Sequence, residues 1–495
     1  MNKNIFFIQL IVLLIFAAGL QAQHRGDDLS FQGLAQSNQN SVRATAMGGA
    51  FTAVSGDVGA IFWNPAGLSD IDGLQVSISA ANMEKLWREN QDYRPNRFQM
   101  TLPFYLEGLY IPNPENNGEW DYDIFNEERN STYVVTSPIL GEDRYSEKAA
   151  DWQREENEFR FDNVAIAYPF EIGERTLTIA GAYSRKIDVM DFDRNDTFLD
   201  PHPGYDLYGI AERVTNDTLR MNWSEFERSR FGSINNMSFA ASFDVTKSLV
   251  LGLGINSFSG DVEESQSLDR VGWFDITNNN KFRFSYDTLN TYIFGNSFFK
   301  GMNADLGLML KLKNISLGVN LTTPYTLERS WSSTTGIAGS DYQTSYSQSG
   351  TDKMNVPLAY RIGVSITPVK QFRASLDVES IPYSNNTFEF SRPDSTHRDW
   401  VDLNALRFGV EYKPWDFLSL MAGYKNVSQE FVPDGAAFRD RGPTAESYTM
   451  GASLYALFGR FDVAFEMRTL KYYDSYYSNT NFALEKINYL MFGYT

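Results

Sequence analysis

Three histidines are all the imidazole this 495-residue chain offers, and none stands where acid–base catalysis needs it. His24 falls near the N-terminus, while His202 and His397 sit in long polar stretches with no serine motif beside them. A hydroxyl nucleophile needs a positioned base within hydrogen-bond reach, so no catalytic residue is expected. Cysteine is absent, which excludes disulfides and thiolate chemistry. No metal-ligand spacing and no glycine-rich phosphate loop occurs, so neither a metal nor a cofactor is expected. What remains is charge. Arg361, Arg373, Arg407 and Arg468 lie in alternating segments, with Asp377, Glu379 and Glu466 close by in sequence. An arginine in a mostly apolar pocket could hold a ligand carboxylate by a charge-assisted bond. The nearby acids make internal ion pairs the bland expectation for any single arginine, and partnership with arginine the expectation for each acid.

Extended elements must position these side chains. From Leu74 onward, apolar residues recur at every second position. Met302, Ala304, Leu306, Leu308, Leu310 and Leu312 alternate with Asn303, Asp305, Gly307, Met309 and Lys311. The same period runs through Ile362, Val364 and Ile366, through Leu406, Phe408, Val410 and Tyr412, and through Phe461, Val463, Phe465 and Met467. A two-residue period marks a strand with two different faces. The four arginines share the parity opposite to the apolar residues.

The turns decide between a soluble sandwich, which also alternates, and a membrane barrel. Six short connections fall near Tyr168–Arg175, Val245–Ser248, Lys313–Asn314, Thr367–Gln371, Lys413–Asp416 and Gly459–Arg460. A first strand at Leu74–Asn82 and a last at Ile487–Thr495 bring the count to about fourteen. Between the hairpins run long connections, roughly 84–157, 188–231, 260–297, 323–354, 382–402, 428–445 and 473–485. Short turns on one side and long loops on the other is the layout of a transmembrane antiparallel β-barrel, apolar face outward and polar face lining the lumen. By strand parity, Leu308 faces lipid and Met309 the lumen, so the four arginines point inward.

The ends of the chain agree with export. Lys3, an apolar stretch Ile5–Leu20 broken only by Gln9, and the small-residue site Leu20-Gln21-Ala22 read as a signal peptide over 1–22. No later run of about eighteen apolar residues exists, so no helical span is expected after it. A net charge of -19 argues against nucleic acid as a partner. The expected setting is the bacterial outer membrane, crossed many times, with membrane lipid against the barrel. Outer-membrane barrels usually end on an aromatic residue; here Tyr494 precedes the final Thr495.

Within the N-terminal segment 23–73, residues 29–73 break the alternation. Small residues crowd 41–69, Asp57 is placed to cap a helix over Val58–Trp63, and Pro65 would stop that helix. A compact, small-residue segment before a barrel is a candidate for a hatch folded in the lumen, with 74–495 as the barrel and its long extracellular loops. The runs Met47-Gly48-Gly49-Ala50-Phe51 and Asn64-Pro65-Ala66-Gly67-Leu68 resemble the FadL family of outer-membrane transporters for hydrophobic compounds. Val356-Pro357 through Val364 and Leu418 through Tyr424 are similar to it more diffusely. Asn-Pro-Ala also occurs in aquaporins, which carry it twice between membrane-spanning helices; this chain has neither.

The resemblance implies a fourteen-stranded barrel whose hatch involves Gly48, Gly49, Asn64, Pro65 and Ala66. It also implies passive uptake of a hydrophobic small molecule such as a long-chain fatty acid. A related branch, similar to the PorV protein of type 9 secretion, binds secreted proteins instead, and the same residues fit that reading.

Overall fold

A computed structural model describes residues 31, 34, 40–93, 119–123, 143–199, 211–215, 218–277, 281–339, 343–392, 400–433, 435–456, 459–476 and 479–495. The signal peptide and all three histidines lie outside these residues.

The alternating segments form a closed antiparallel barrel of 14 strands. The strands are β1 Gln75–Tyr93, β2 Trp152–Ile172, β3 Arg175–Asp188, β4 Thr218–Asp244 and β5 Leu249–Thr277. They continue with β6 Lys281–Lys311, β7 Ile315–Thr322, β8 Ala359–Val369, β9 Phe372–Ile381 and β10 Leu403–Trp415. The last four are β11 Leu418–Ser428, β12 Thr444–Ala456, β13 Gly459–Tyr476 and β14 Asn479–Tyr494. β1 closes the ring, pairing with β2 through Ile78↔Val164 and with β14 through Ile78↔Tyr494. Through the lower barrel, closure leaves no bare edge for other chains to pair with.

Parity follows the sequence reading. Met302, Leu306 and Leu308 of β6 and the adjoining Leu312 are exposed on the outer face, while Met309 is fully buried inside. Ile362, Phe408, Tyr412, Phe461 and Met467 likewise face outward. Among the described residues no helix is long and apolar enough to cross a membrane; the outward apolar residues named here stand on strands.

The long connections differ from expectation. Much of 188–231, 260–297 and 323–354 is ladder rather than loop: β5 and β6 run for 29 and 31 residues. Crossing a bilayer takes about 9–11 tilted residues, so these strands stand far beyond it. Higher up the inner face carries apolar residues as well, Phe258, Val262, Phe299, Leu327 and Met354 packing together inside, while the backbone pairing persists. Asp191–Leu199 and Ala211–Thr215 pair with β4, and Tyr325–Gly339 pairs with β6 and Gln343–Val356. Pro324 and Pro357 mark the two breaks where β7 and β8 give way to this upper hairpin; proline has no amide hydrogen to give a ladder.

Candidate functional site in the barrel lumen

Residues 40–73 fill the lower lumen in three short helices. Ser41 caps α1 (Val42–Ala46), its side chain accepting from the Ala44 amide at 3.3 Å. α1 ends at Gly48 and Gly49, with φ of 62° and 76°, a region glycine enters without cost. Asp57 caps a 3₁₀ helix over Val58–Phe62, accepting from Gly59 at 2.8 Å. Asn64 caps a second, Pro65–Leu68, accepting from Ala66 at 3.0 Å. The sequence pattern anticipated the Asp57 cap and the stop before Pro65, but neither α1 nor the restart at Pro65.

The barrel wall is shaved to receive this segment. At Gly252 and Gly307 an added Cβ would overlap the Asn64–Ala66 corner, at Gly318 the Thr52 carbonyl, and at Gly409 and Gly423 the Met47–Gly48 backbone. These glycines face inward on β5, β6, β7, β10 and β11. Met309 of β6 packs with Ala66 and Val250, and Met47, Phe51 and Trp63 pack with Met421 and Met491.

Polar ties fix the same contact. The buried Asp377 carboxylate accepts from the Phe51 and Thr52 amides at 2.9 and 2.8 Å. Arg43 reaches Glu411 at 2.7 Å and Asp57 at 3.3 Å, and Arg460 reaches Asp57 at 2.8 Å. The Asn64 amide donates to the Thr52 carbonyl at 2.9 Å and to the Leu308 carbonyl of β6 at 3.3 Å.

Above this segment lies a cavity of about 390 Å³. Thr45, Met83 and Met491 border it, as do Trp87, Trp400 and Phe431. Its charged groups are largely matched: Lys425 with Glu466 at 2.6 Å, Lys85 with Glu485 at 3.0 Å, Arg468 with Glu485, and Arg407 with Glu379. Glu430, just past the end of β11, also lines it. Burial pushes the Glu430 carboxyl up to about 7.

One side of the cavity reaches a seam in the wall. β2 and β3 pair from Ile172↔Arg175 up to Asn163↔Ser184. Beyond that point β2 stays with β1 as far as Trp152, while β3 stays with β4. Among the described residues no backbone ladder joins β2 to β3 there. Side chains bridge instead: Arg160 with Asp188, Arg185 with Glu158 at 2.9 Å, and Phe192 edge-on to Trp152 at 5.4 Å. Arg160, Asp188, Trp152 and Phe192 line the cavity as well.

The four arginines singled out from the sequence are scattered and each has an acid partner. Arg361 and Arg407 share Glu379, Arg373 meets Glu411 at 3.1 Å, and Arg468 meets Glu485. Arg407 and Arg468 border the cavity; Arg361 instead donates to the Trp63 carbonyl at 3.0 Å. Of the three acids, Glu379 has arginine partners, Glu466 has Lys425, and Asp377 has the two backbone amides. Asp377 was expected to pair with arginine and instead holds backbone amides, while Glu411 and the fitting of the inward glycines escaped the sequence reading. Glycine at inward parity on neighbouring strands was the available signal.

The barrel has solved counterparts. A Pseudomonas aeruginosa FadL homologue superimposes with a TM-score of 0.56 over 93% of this chain and 98% of that one, at 12% identity. The chain has the FadL-type fold. The P. putida toluene transporter TodX matches with a TM-score of 0.52 over 91% of this chain and 96% of that one, at 11% identity. No family model matches the sequence, and no curated protein matches it. The FadL-type likeness is therefore one of backbone shape.

Proposed function

We propose that this chain is an outer-membrane channel for passive uptake of hydrophobic small molecules, with residues 40–73 as its hatch. The observation that carries the reading is the continuity of the cavity with the β2–β3 seam. A molecule entering from the loop side meets the cavity above the hatch, and at the seam it meets a wall held by side chains alone. Leaving sideways there would spare an apolar molecule the passage through the plugged, polar lower lumen. The outer face at the seam carries Phe159 and Phe161, both exposed, an apolar surface suited to receiving it. The named toluene transporter of the same fold supports uptake as the class of function. No energy source is visible, so movement runs down a gradient. The secretion-partner alternative has no comparable feature, because binding a secreted protein requires neither the cavity nor its reach to the wall.

The absence of cysteine makes a clean test available. The double variant Arg160→Cys with Asp188→Cys, reconstituted in vesicles, is bridged with a short bis-maleimide. Uptake of a labelled hydrophobic compound should fall several-fold on bridging and stay high in the unbridged variant. Equal uptake in both states would exclude the seam as the exit. Secreted proteins co-purifying with the barrel, with uptake unchanged in cells lacking it, would favour the alternative.

A further inference from the structure

We infer that the open edge of the upper hairpin is a docking strand for another polypeptide: residues 343–352 take an extended, uncharged stretch of a separate chain as an added strand. The inference goes beyond the channel reading and does not depend on it.

The first observation is a row of backbone without a second ladder. Gln343–Val356 pairs along its length with Tyr325–Gly339. Its other side meets Thr387–Glu389, and only at Lys353, Met354 and Asn355. From Gln343 to Asp352 no ladder covers that side among the described residues. Ser391 reaches across to Asp352 at 2.8 Å and Arg392 to Gln348, contacts to side chains that form no ladder. Every residue from Gln343 to Ser349 is exposed, so both faces of this stretch are open as well. The hairpin also stands clear of the membrane. Tyr325–Gly339 joins β6 from Gly301 up to Leu289, above the stretch Met302–Leu312 that supplies the about 9–11 residues needed to cross. A bare edge is a template for pairing with another chain, and strand addition recognises an extended backbone as such.

The second observation is the absence of protection. Proteins blunt their edges with charge and proline. The two edges that face each other at the β2–β3 seam are guarded in this way: Arg154, Glu155, Glu156 and Glu158 stand on one, Asp191, Asp193 and Arg194 on the other. The run Gln343-Thr-Ser-Tyr-Ser-Gln-Ser-Gly-Thr351 carries neither a charge nor a proline. Its side chains are hydroxyls, amides and the half-exposed ring of Tyr346. They offer no counter-charge along the run, so the matching occupant is uncharged. An aromatic or β-branched residue beside Tyr346 completes the kind of cross-strand pair that stabilises sheets.

Geometry decides against a second copy as the occupant. Two barrels in one membrane stand the same way up, so their edges would run parallel. A twofold axis along the membrane normal turns the same residues of both edges toward each other, whereas a parallel ladder needs them staggered by one. A separate chain arriving from the loop side is free to run antiparallel.

The test uses the full barrel in lipid nanodiscs, with empty nanodiscs subtracted. The probe is a short fluorescent peptide of alternating threonine and valine, read by anisotropy. Its control is the same peptide N-methylated at two adjacent central residues, which blocks a ladder on either side. The probe should bind at least about tenfold more tightly than the control. Adjacent amides of a strand point to opposite sides, so of Ser347→Pro and Gln348→Pro one removes a donor from the open edge and the other a donor from the hairpin. Hydrogen exchange at 325–339 identifies them: the variant that keeps its protection there should lose probe affinity by at least about tenfold. Tyr346→Ser, which leaves every amide in place, should weaken binding by about threefold or more. Failure of the probe to bind, a control that binds equally well, or full affinity in Tyr346→Ser or in the protected proline variant would each overturn the inference. Heat-modifiable migration of each variant checks that the barrel is folded.

Discussion

Asn64 sits where the hatch meets the wall, and two substitutions separate its jobs. Its Oδ1 caps the second 3₁₀ helix at Ala66, and its amide spans the Thr52 carbonyl and the Leu308 carbonyl of the barrel. Asn64→Ala removes the cap, worth about 1 kcal/mol. It also orphans the buried Thr52 carbonyl, at a cost of about 1–3 kcal/mol. Together the hatch corner should lose about 2–4 kcal/mol of local stability. Asn64→Asp keeps the capping oxygen but turns the donor into a carboxylate oxygen aimed at two carbonyls, so the loss should be at least as large. Native-state hydrogen exchange in vesicles reads this directly, since exchange reports the free energy of local opening. Amides of 58–69 should exchange roughly 30- to 1,000-fold faster in Asn64→Ala, with barrel strands unchanged and the folded band intact on a gel. Exchange within about threefold of the parent in both variants would mean that glycine-fitted packing alone holds the hatch, and the latch would be refuted.

Three further outcomes are expected. Leu308→Arg, on the lipid face, should destabilise the barrel by about 2–4 kcal/mol in vesicle unfolding, and a cost below 1 kcal/mol would show the face wrongly assigned. Asp377→Ala leaves the buried amides of Phe51 and Thr52 without an acceptor, so protease should cut within 40–73 far faster than in the parent. Equal cutting would remove Asp377 from the docking contact. The Glu430 carboxyl, raised by burial from 4.5 to about 7, stabilises its loop fully below the unfolded value, and that contribution is lost as pH rises through about 7. Exchange protection at 428–433 should therefore fall between pH 5 and pH 8 by on the order of 1–3 kcal/mol, and Glu430→Gln should flatten the profile.

The barrel was legible because its two faces meet different solvents. Alternation at Leu306, Leu308 and Leu312 fixed parity, and short polar connections fixed the order of strands. The upper ladders were not legible, since β5 beyond Ser257 turns its apolar residues inward, Phe258 and Val262 being buried, opposite to the parity of Leu251, Leu253 and Ile255 below. The hatch was half legible. Asp57, Asn64 and Pro65 carry local turn chemistry that acts wherever the segment sits. Its docking contacts do not, because they join residues hundreds of positions apart: Arg43 meets Glu411, and Phe51 meets Asp377. Met309 illustrates the limit. Parity placed it inside, but did not show that it packs on Ala66 of the segment within the barrel. Met309→Arg should therefore dislodge the hatch even where the strand tolerates it.

A ladder of peptide bonds is nearly indifferent to the side chains hung on it, so most of a barrel wall cannot be opened or tightened by changing one residue. Where β2 and β3 part, the wall consists of Arg160, Asp188, Arg185 and Glu158. That stretch answers to ionic strength and to single codon changes, while the strands around it keep their register. Selection can thus retune that stretch without redesigning the fold, consistent with one backbone shape held at identities as low as 11%.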